Sequence, residues 1–206
     1  MTRIRFTDWI APRGRFGTAG NHTEFEADGT LRSLGNSTAW LDSMVPPTVF
    51  RIGGTALALA ELTSGIYAHR FDVTDVIHFN IQFNHNMMVD TTIYPHIHLV
   101  NKEAITGAAN VTFTLAYTWA NIGTNFPAVE SDPDRIVDMA DAGALSHTVG
   151  SFAGIAPTLV QGGISSVLVG SLTRVDAGYT TANIFLLGFD IHYQVDTLGS
   201  REEFVK

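Results

Sequence analysis

The sequence predicts an all-β protein: a jelly-roll-like antiparallel β-sandwich behind an irregular N-terminal arm. Three observations predict it. Several segments alternate apolar and polar residues with period two, the mark of a strand with one buried face. The 13 phenylalanines, with abundant Thr, Val and Ile, favour strands over helices. Gly-rich connections punctuate the alternating segments, and the regular pattern begins only after about residue 50. The 206 residues therefore divide into a leader over 1–50 and a sandwich domain over 51–206.

In the leader, "APRGRFGTAGN" and "DGTLRSLGNST" are turn-rich, and "MVPPTVF" carries a proline pair that interrupts any regular element. "ALALAEL" (56–62) and "IYAHRFDV" are weak strand patterns. In "DVIHFNIQFNH", Ile77, Phe79, Ile81 and Phe83 alternate with His78, Asn80, Gln82 and Asn84. In "TTIYPHIHLVNKE", Ile93, Ile97 and Leu99 take one face, and Tyr94, His96 and His98 share the other. "NVTFTLAYTW" sets Val111, Phe113, Leu115, Tyr117 and Trp119 against Thr112, Thr114, Ala116 and Thr118. "SDPDRIVDMAD" predicts a short helix, with Asp132 as N-cap and Pro133 in the first turn. "ISSVLVGSLTRV" is apolar on both faces and predicts a central strand, with Ser165 and Ser166 inside it. In "NIFLLGFDIHYQVD", Phe185, Leu187, Phe189, Ile191, Tyr193 and Val195 alternate with Leu186, Gly188, Asp190, His192 and Gln194. Seven or eight short strands with few helices predict a sandwich, and a jelly roll is the favoured kind at this length.

Composition narrows the function classes. Only 16% of residues are charged, against roughly 25% in ordinary soluble domains, as expected of a surface partly covered by other subunits. The net charge of −8 argues against a nucleic-acid partner, which needs a basic patch or stripe. The first 15 residues depart from that balance: Arg3, Arg5, Arg13 and Arg15 face only Asp8, the asymmetry of an interacting arm. A disordered, solvated arm has the same composition. No cysteine is present, so disulfides, thiol nucleophiles and thiolate metal sites are excluded. No apolar run approaches the roughly 18 residues of a membrane span, and the N-terminus lacks the apolar segment of a signal peptide. The expectation is a soluble chain made in a cytoplasm, with no membrane partner.

The histidines pose the central question. If the alternating strands share a sheet, His78, His96, His98, Asp190 and His192 converge on its non-core face. Two imidazoles of an H-x-H strand with a carboxylate form a known metal arrangement. The simpler reading is a hydrogen-bonded polar layer between subunits or facing water, because histidine both donates and accepts. His22, His69 and His147 lie in loop-like or mixed contexts. No G-x-S-x-G elbow, P-loop or dinucleotide fingerprint is present. The carboxylates Asp132, Asp134, Asp138 and Asp141 are explained by capping and a solvated face.

Two resemblances bear on the choice. The spacing of His96, His98 and Glu103 resembles the first half of the cupin metal motif. Its leading and trailing glycines are replaced by Asp90 and Asn110, and the second motif is missing. Read in order, "IQFNHNMMVDTTIYPHIHL", "LAYTWANIGTNFP", "ISSVLVGSLTRVD" and "LLGFDIHYQVDTLGSREEFVK" resemble a family of tailed-bacteriophage virion proteins, over about residues 75–206. That resemblance implies a non-enzymatic virion structural protein, made in a host bacterial cytoplasm. A capsid-decoration or head-fibre subunit is the first form, and a neck, tail or receptor-binding component the alternative. The implied partners are further copies of the chain, as a trimer or other cyclic oligomer, and other virion proteins such as the major capsid or neck/tail protein. No catalytic residue, cofactor or metal follows from it.

The expected contact residues are Arg3, Arg5, Phe6, Trp9, Arg13, Arg15 and Phe16 of the arm, with His78, His96, His98 and His192 near an oligomer axis. The rival from another class is a cupin-like metal-dependent enzyme using His96, His98, Glu103 and His192. A third reading is a carbohydrate-binding sandwich with Tyr94, Tyr117 and Trp119 as stacking residues, although Tyr117 and Trp119 fit the core stripe better.

Overall fold

The computed structural model describes residues 14–27, 29–45, 51–53, 57–158, 161–175, 183–200 and 202–203. All strand pairings are antiparallel. The leader is not irregular throughout. It forms β1 (Gly14–Thr18), β2 (Asn21–Phe25) and β3 (Leu31–Leu34), which make a separate three-stranded sheet, and then β4 (Ala39–Val45). The remaining strands are β5 (Arg51–Gly53), β6 (Ala58–Thr63), β7 (Ile66–Arg70), β8 (Val76–Gln82), β9 (Tyr94–Asn101), β10 (Asn110–Ala120), β11 (Glu130–Asp138), β12 (His147–Ser151), β13 (Val167–Arg174) and β14 (Ile184–Val195).

They build a jelly-roll-like sandwich. One sheet has five strands in the order β11-β10-β13-β8-β5. The other has six, ordered β12-β9-β14-β7-β6, with β4 also on β14. From β8 onward successive strands alternate between the sheets, except at the β10–β11 hairpin. The core lies between them. Phe79 of β8 meets Phe189 of β14 at a ring distance of 4.5 Å, and Phe83 touches both Trp119 (5.2 Å) and Tyr193 (5.6 Å). Each such fully buried side chain contributes about 1.5–3 kcal/mol of transfer free energy. Tyr117 and Trp119 belong to this core, not to a sugar platform. Burial first, then the Glu130 carboxylate that accepts its hydroxyl proton at 3.0 Å, pushes Tyr117 up to about 12.

Three local expectations fail for identifiable reasons. Residues 131–141 do not form a helix: 130–138 is the edge strand β11. Between Phe113↔Arg135 and Leu115↔Asp132, β11 carries two residues, Pro133 and Asp134, where β10 has only Thr114. Asp134 there adopts φ 53°. A bulge on an edge strand tolerates a proline that donates no ladder bond. The Asp132 carboxylate, instead of capping a helix, accepts from Arg135 and from the Ala153 amide. Ser165 and Ser166 lie in the turn before β13, not within it, with Ser165 at φ 56°. Ser165 is buried and bonded to His85 at 2.7 Å, and His85 to Ser200 at 2.6 Å, so the hydroxyl ties loops together.

In β14 a bulge between Leu186 and Gly188 inserts a residue relative to β9. Leu186 faces the core and Leu187 is exposed, the reverse of the simple alternation. One extra residue exchanges the faces. Beyond it Phe189, Ile191 and Tyr193 point inward as expected.

Candidate functional site

β9 and β14 are neighbours, and their register assembles the site. Asp190 lies opposite His96 on β9 and Met44 on β4, while His192 lies opposite Tyr94 and Asp42. Because Ile97, Leu99, Phe189 and Ile191 occupy the core, His96, His98, Asp190 and His192 share the outer face of the six-stranded sheet. β4 adds Asp42 from the leader.

The cluster centres on Asp190, a carboxylate only 1% exposed although it stands on an outer face. Imidazoles crowd over it. His96 Nδ1 is 3.6 Å from Oδ1, while His98 Nε2 and His192 Nε2 are 3.3 and 3.4 Å from Oδ2. His192 Nε2 also reaches Asp42 Oδ1 at 2.9 Å. The rings of His96 and His192 meet edge to face at 4.0 Å. His98 Nδ1 pairs with His147 Nε2 at 2.9 Å, the two rings being stacked. Neutral imidazoles satisfy this geometry in one way: His147 donates to His98, and His98 donates through Nε2–H to Asp190. Burial, with the neighbouring His192 adding to it, lowers the pKa of His96 against the pull of Asp190 and so favours its uncharged form.

The sequence-predicted residues divide. His96, His98 and His192 come together with Asp190, as the shared-face argument requires. His78 does not join them: it stands on β8, exposed on the outer face of the opposite sheet, across from Ser171. Glu103 also stands apart. It is exposed in the loop after β9, its carbonyl held by Asn101, and the compact group of potential ligands among the described residues is His96, Asp190 and His192. The cupin-type triad of His96, His98 and Glu103 is therefore not formed. Arg15 and Phe16 lie on β1 in the separate small sheet. Arg15 Nε donates to Glu24 at 2.8 Å, and Phe16 packs edge-on against Phe25. Arg3, Arg5, Phe6, Trp9 and Arg13 lie outside the described residues.

Two members were missed by sequence reasoning. Asp42 sits in a leader expected to be irregular, and "AWLDSMV" carries no apolar–polar alternation that would have marked the strand. His147 lies on a short strand whose glycine, Gly150, weakens the pattern. Around the cluster, Trp40 and Met44 of β4, Tyr94 of β9 and Val149 of β12 are exposed apolar side chains. Trp40 and Tyr94 touch at 5.6 Å.

Comparisons with known proteins give fold-level likeness only. No family model matches the chain, and no curated protein does. Solved structures that overlap it include the carbohydrate-binding module CBM36 in complex with calcium and xylotriose, at 13% identity. That overlap covers 74% of this chain and 98% of the module, with a TM-score of 0.36. The CBM36-1 domain of a multidomain xylanase from the hindgut metagenome of Trinervitermes trinervoides follows at 10% identity, 73% and 96% coverage and a TM-score of 0.39. A family 35 carbohydrate-binding module from Clostridium thermocellum gives 13%, 73%, 97% and 0.37. At such scores nothing about ligands transfers, and the chain's own strand pairing defines the sandwich.

Proposed function

We infer that this chain is a non-enzymatic structural subunit of a tailed-phage virion, of the capsid-decoration or head-fibre kind. It assembles as a closed homo-oligomer, a trimer in the first instance, through the outer face of the six-stranded sheet. The observation that carries the reading is the apolar frame of Trp40, Met44, Tyr94 and Val149, exposed on three strands of one face around a polar centre. Contact surfaces are enriched in aromatic residues and Met in this way. The low charge content of the whole chain supports the same conclusion, as does the ordered resemblance of four segments to virion proteins. In a cyclic assembly the same face is used by every copy. The arginine-bearing N-terminus would then dock the oligomer on the capsid.

Sedimentation of the purified chain tests the assembly: a closed oligomer is expected at micromolar concentration. The double variant Trp40→Glu, Tyr94→Glu should sediment as a folded monomer. A wild-type monomer at that concentration would remove the oligomer from the account. Locating the chain's density in intact particles tests the virion assignment, and its absence there would overturn it.

A further inference from the structure

We propose that His96, Asp190, His192 and Asp42 hold a single divalent transition-metal ion of the zinc class, in a structural role. The inference is independent of the virion reading.

Three observations carry it. First, the spacing fits. Ligand atoms of His96, Asp190 and His192 all lie within 4.8 Å of one another. A tetrahedral ion with bonds of about 2.0–2.2 Å separates its ligand atoms by roughly 3.3–3.6 Å. His96 Nδ1 lies 3.6 Å from Asp190 Oδ1, and His192 Nε2 lies 3.4 Å from Asp190 Oδ2 and 2.9 Å from Asp42 Oδ1. Small rotations of side chains already in place would complete the shell.

Second, two buried polar atoms in the cluster have no hydrogen-bond partner: Nδ1 of His96 and Oδ1 of Asp190. They face each other. A buried carboxylate oxygen and a buried imidazole nitrogen left unmatched are costly, and an ion between them satisfies both. The other oxygen, Oδ2, accepts from His98, which is backed by His147, and has His192 Nε2 at 3.4 Å. Carboxylate, imidazole and second imidazole in series are the outer-shell support that orients a ligating group.

Third, the charges match. Among the described residues, the ion-pair contacts of Asp190 are with histidines alone. Three imidazolium rings around one carboxylate would repel one another. One dication is neutralised by Asp190 and Asp42 together and leaves the imidazoles as neutral ligands. The mixed nitrogen–oxygen donor set selects a transition ion over calcium or magnesium, which take oxygen. His192 and Asp42 are the more exposed members, so an ion enters from their side. The spatial neighbour His98 supports the site from outside, and the carboxylate partners come from β14 and β4, unlike the H-x-H…E reading.

The test uses the full chain, stripped with a chelator and titrated with Zn²⁺ by calorimetry, with Co²⁺ as a spectroscopic substitute. The expected result is one ion per chain, visible absorption of tetrahedral intensity with Co²⁺, and a rise in melting temperature with free Zn²⁺. His96→Ala and His192→Ala should each weaken binding by about a hundredfold or more. His98→Gln should weaken it by roughly 10- to 100-fold, and Glu103→Ala should leave it unchanged. Binding that is absent, non-stoichiometric or unaffected by both His96→Ala and His192→Ala would overturn the proposal. His192 is partly exposed and Asp190 is buried, so the variant is made at His192, and circular dichroism checks that it folds. A monomer that binds one zinc ion keeps this inference and sinks the oligomer; an oligomer that binds none does the reverse.

Discussion

The two outer faces of the sandwich are made by the same alternation and are chemically unlike. On the five-stranded sheet, β8 shows His78, Asn80 and Gln82, and β13 and β10 show Ser171, Thr173, Thr114 and Thr118. The β8 residues are exposed, and the hydroxyl residues partly so. On the six-stranded sheet the equivalent positions hold a carboxylate removed from water, imidazoles stacked upon it and a surround of Trp40, Met44 and Tyr94. The difference is not in the histidines, since both faces have them. It lies in the strand β4, which extends the sheet beside β14, and in the register that sets Asp190 between His96 and Met44. A polar residue on an outer face acquires chemical significance when its neighbours take water away from it.

That contrast can be broken or sharpened. The largest effect is expected at Phe189→Ala, which empties the inter-sheet contact with Phe79 and lies directly beneath Asp190. It should cost about 3–5 kcal/mol in urea unfolding and degrade both faces together. Gly170→Val comes next. A Cβ at Gly170 would sit 2.6 Å from Phe79 Cζ and 3.0 Å from the Ala116 carbonyl oxygen. Overpacking should cost about 1–3 kcal/mol, and Phe79→Leu in the same chain should recover part of it.

The sharpest comparison pairs two histidines. His98→Ala removes a hydrogen bond from Asp190 Oδ2, leaving it only the His192 contact, and takes away the His147 ring's partner, a cost of about 1–3 kcal/mol in the metal-free chain. His78→Ala on the opposite face should change the urea midpoint by the equivalent of no more than about 0.5 kcal/mol. Equal effects would erase the distinction between the faces.

The smallest effect concerns Tyr117 at neutral pH. Its pKa is raised to about 12 in the fold, above the ordinary value of about 10, so the folded state retains the proton longer than the unfolded chain. The stability this contributes is fully present below pH 10 and is lost as pH rises from 10 through 12. Alkaline ultraviolet titration should show one late-ionising tyrosine, missing in Tyr117→Phe. That variant should also lose stability less steeply above pH 10.

Much of the fold was legible along the chain. The alternation in 77–83, 111–119 and 189–195 is local, and each stripe did become one face. Within the two-sided apolar segment 164–175, Val167–Arg174 became β13, a central strand flanked by β10 and β8. "SDPDRIVD" misled because Asp-Pro opens helices and also suits a bulged edge strand. Val137 and Met139, both buried, hold the segment extended.

By itself the sequence determined which side chains share a side within each strand, because a period of two needs only backbone geometry. It thereby determined that His96 goes with His98 and Asp190 with His192. Which strands lie side by side was decided by tertiary structure alone. Pairing put His78 on the far sheet, left Glu103 beyond a strand end and brought Asp42 and His147 to the cluster. Those relations join residues far apart in the chain, and they depend on how two sheets close over a common core, which no local pattern encodes.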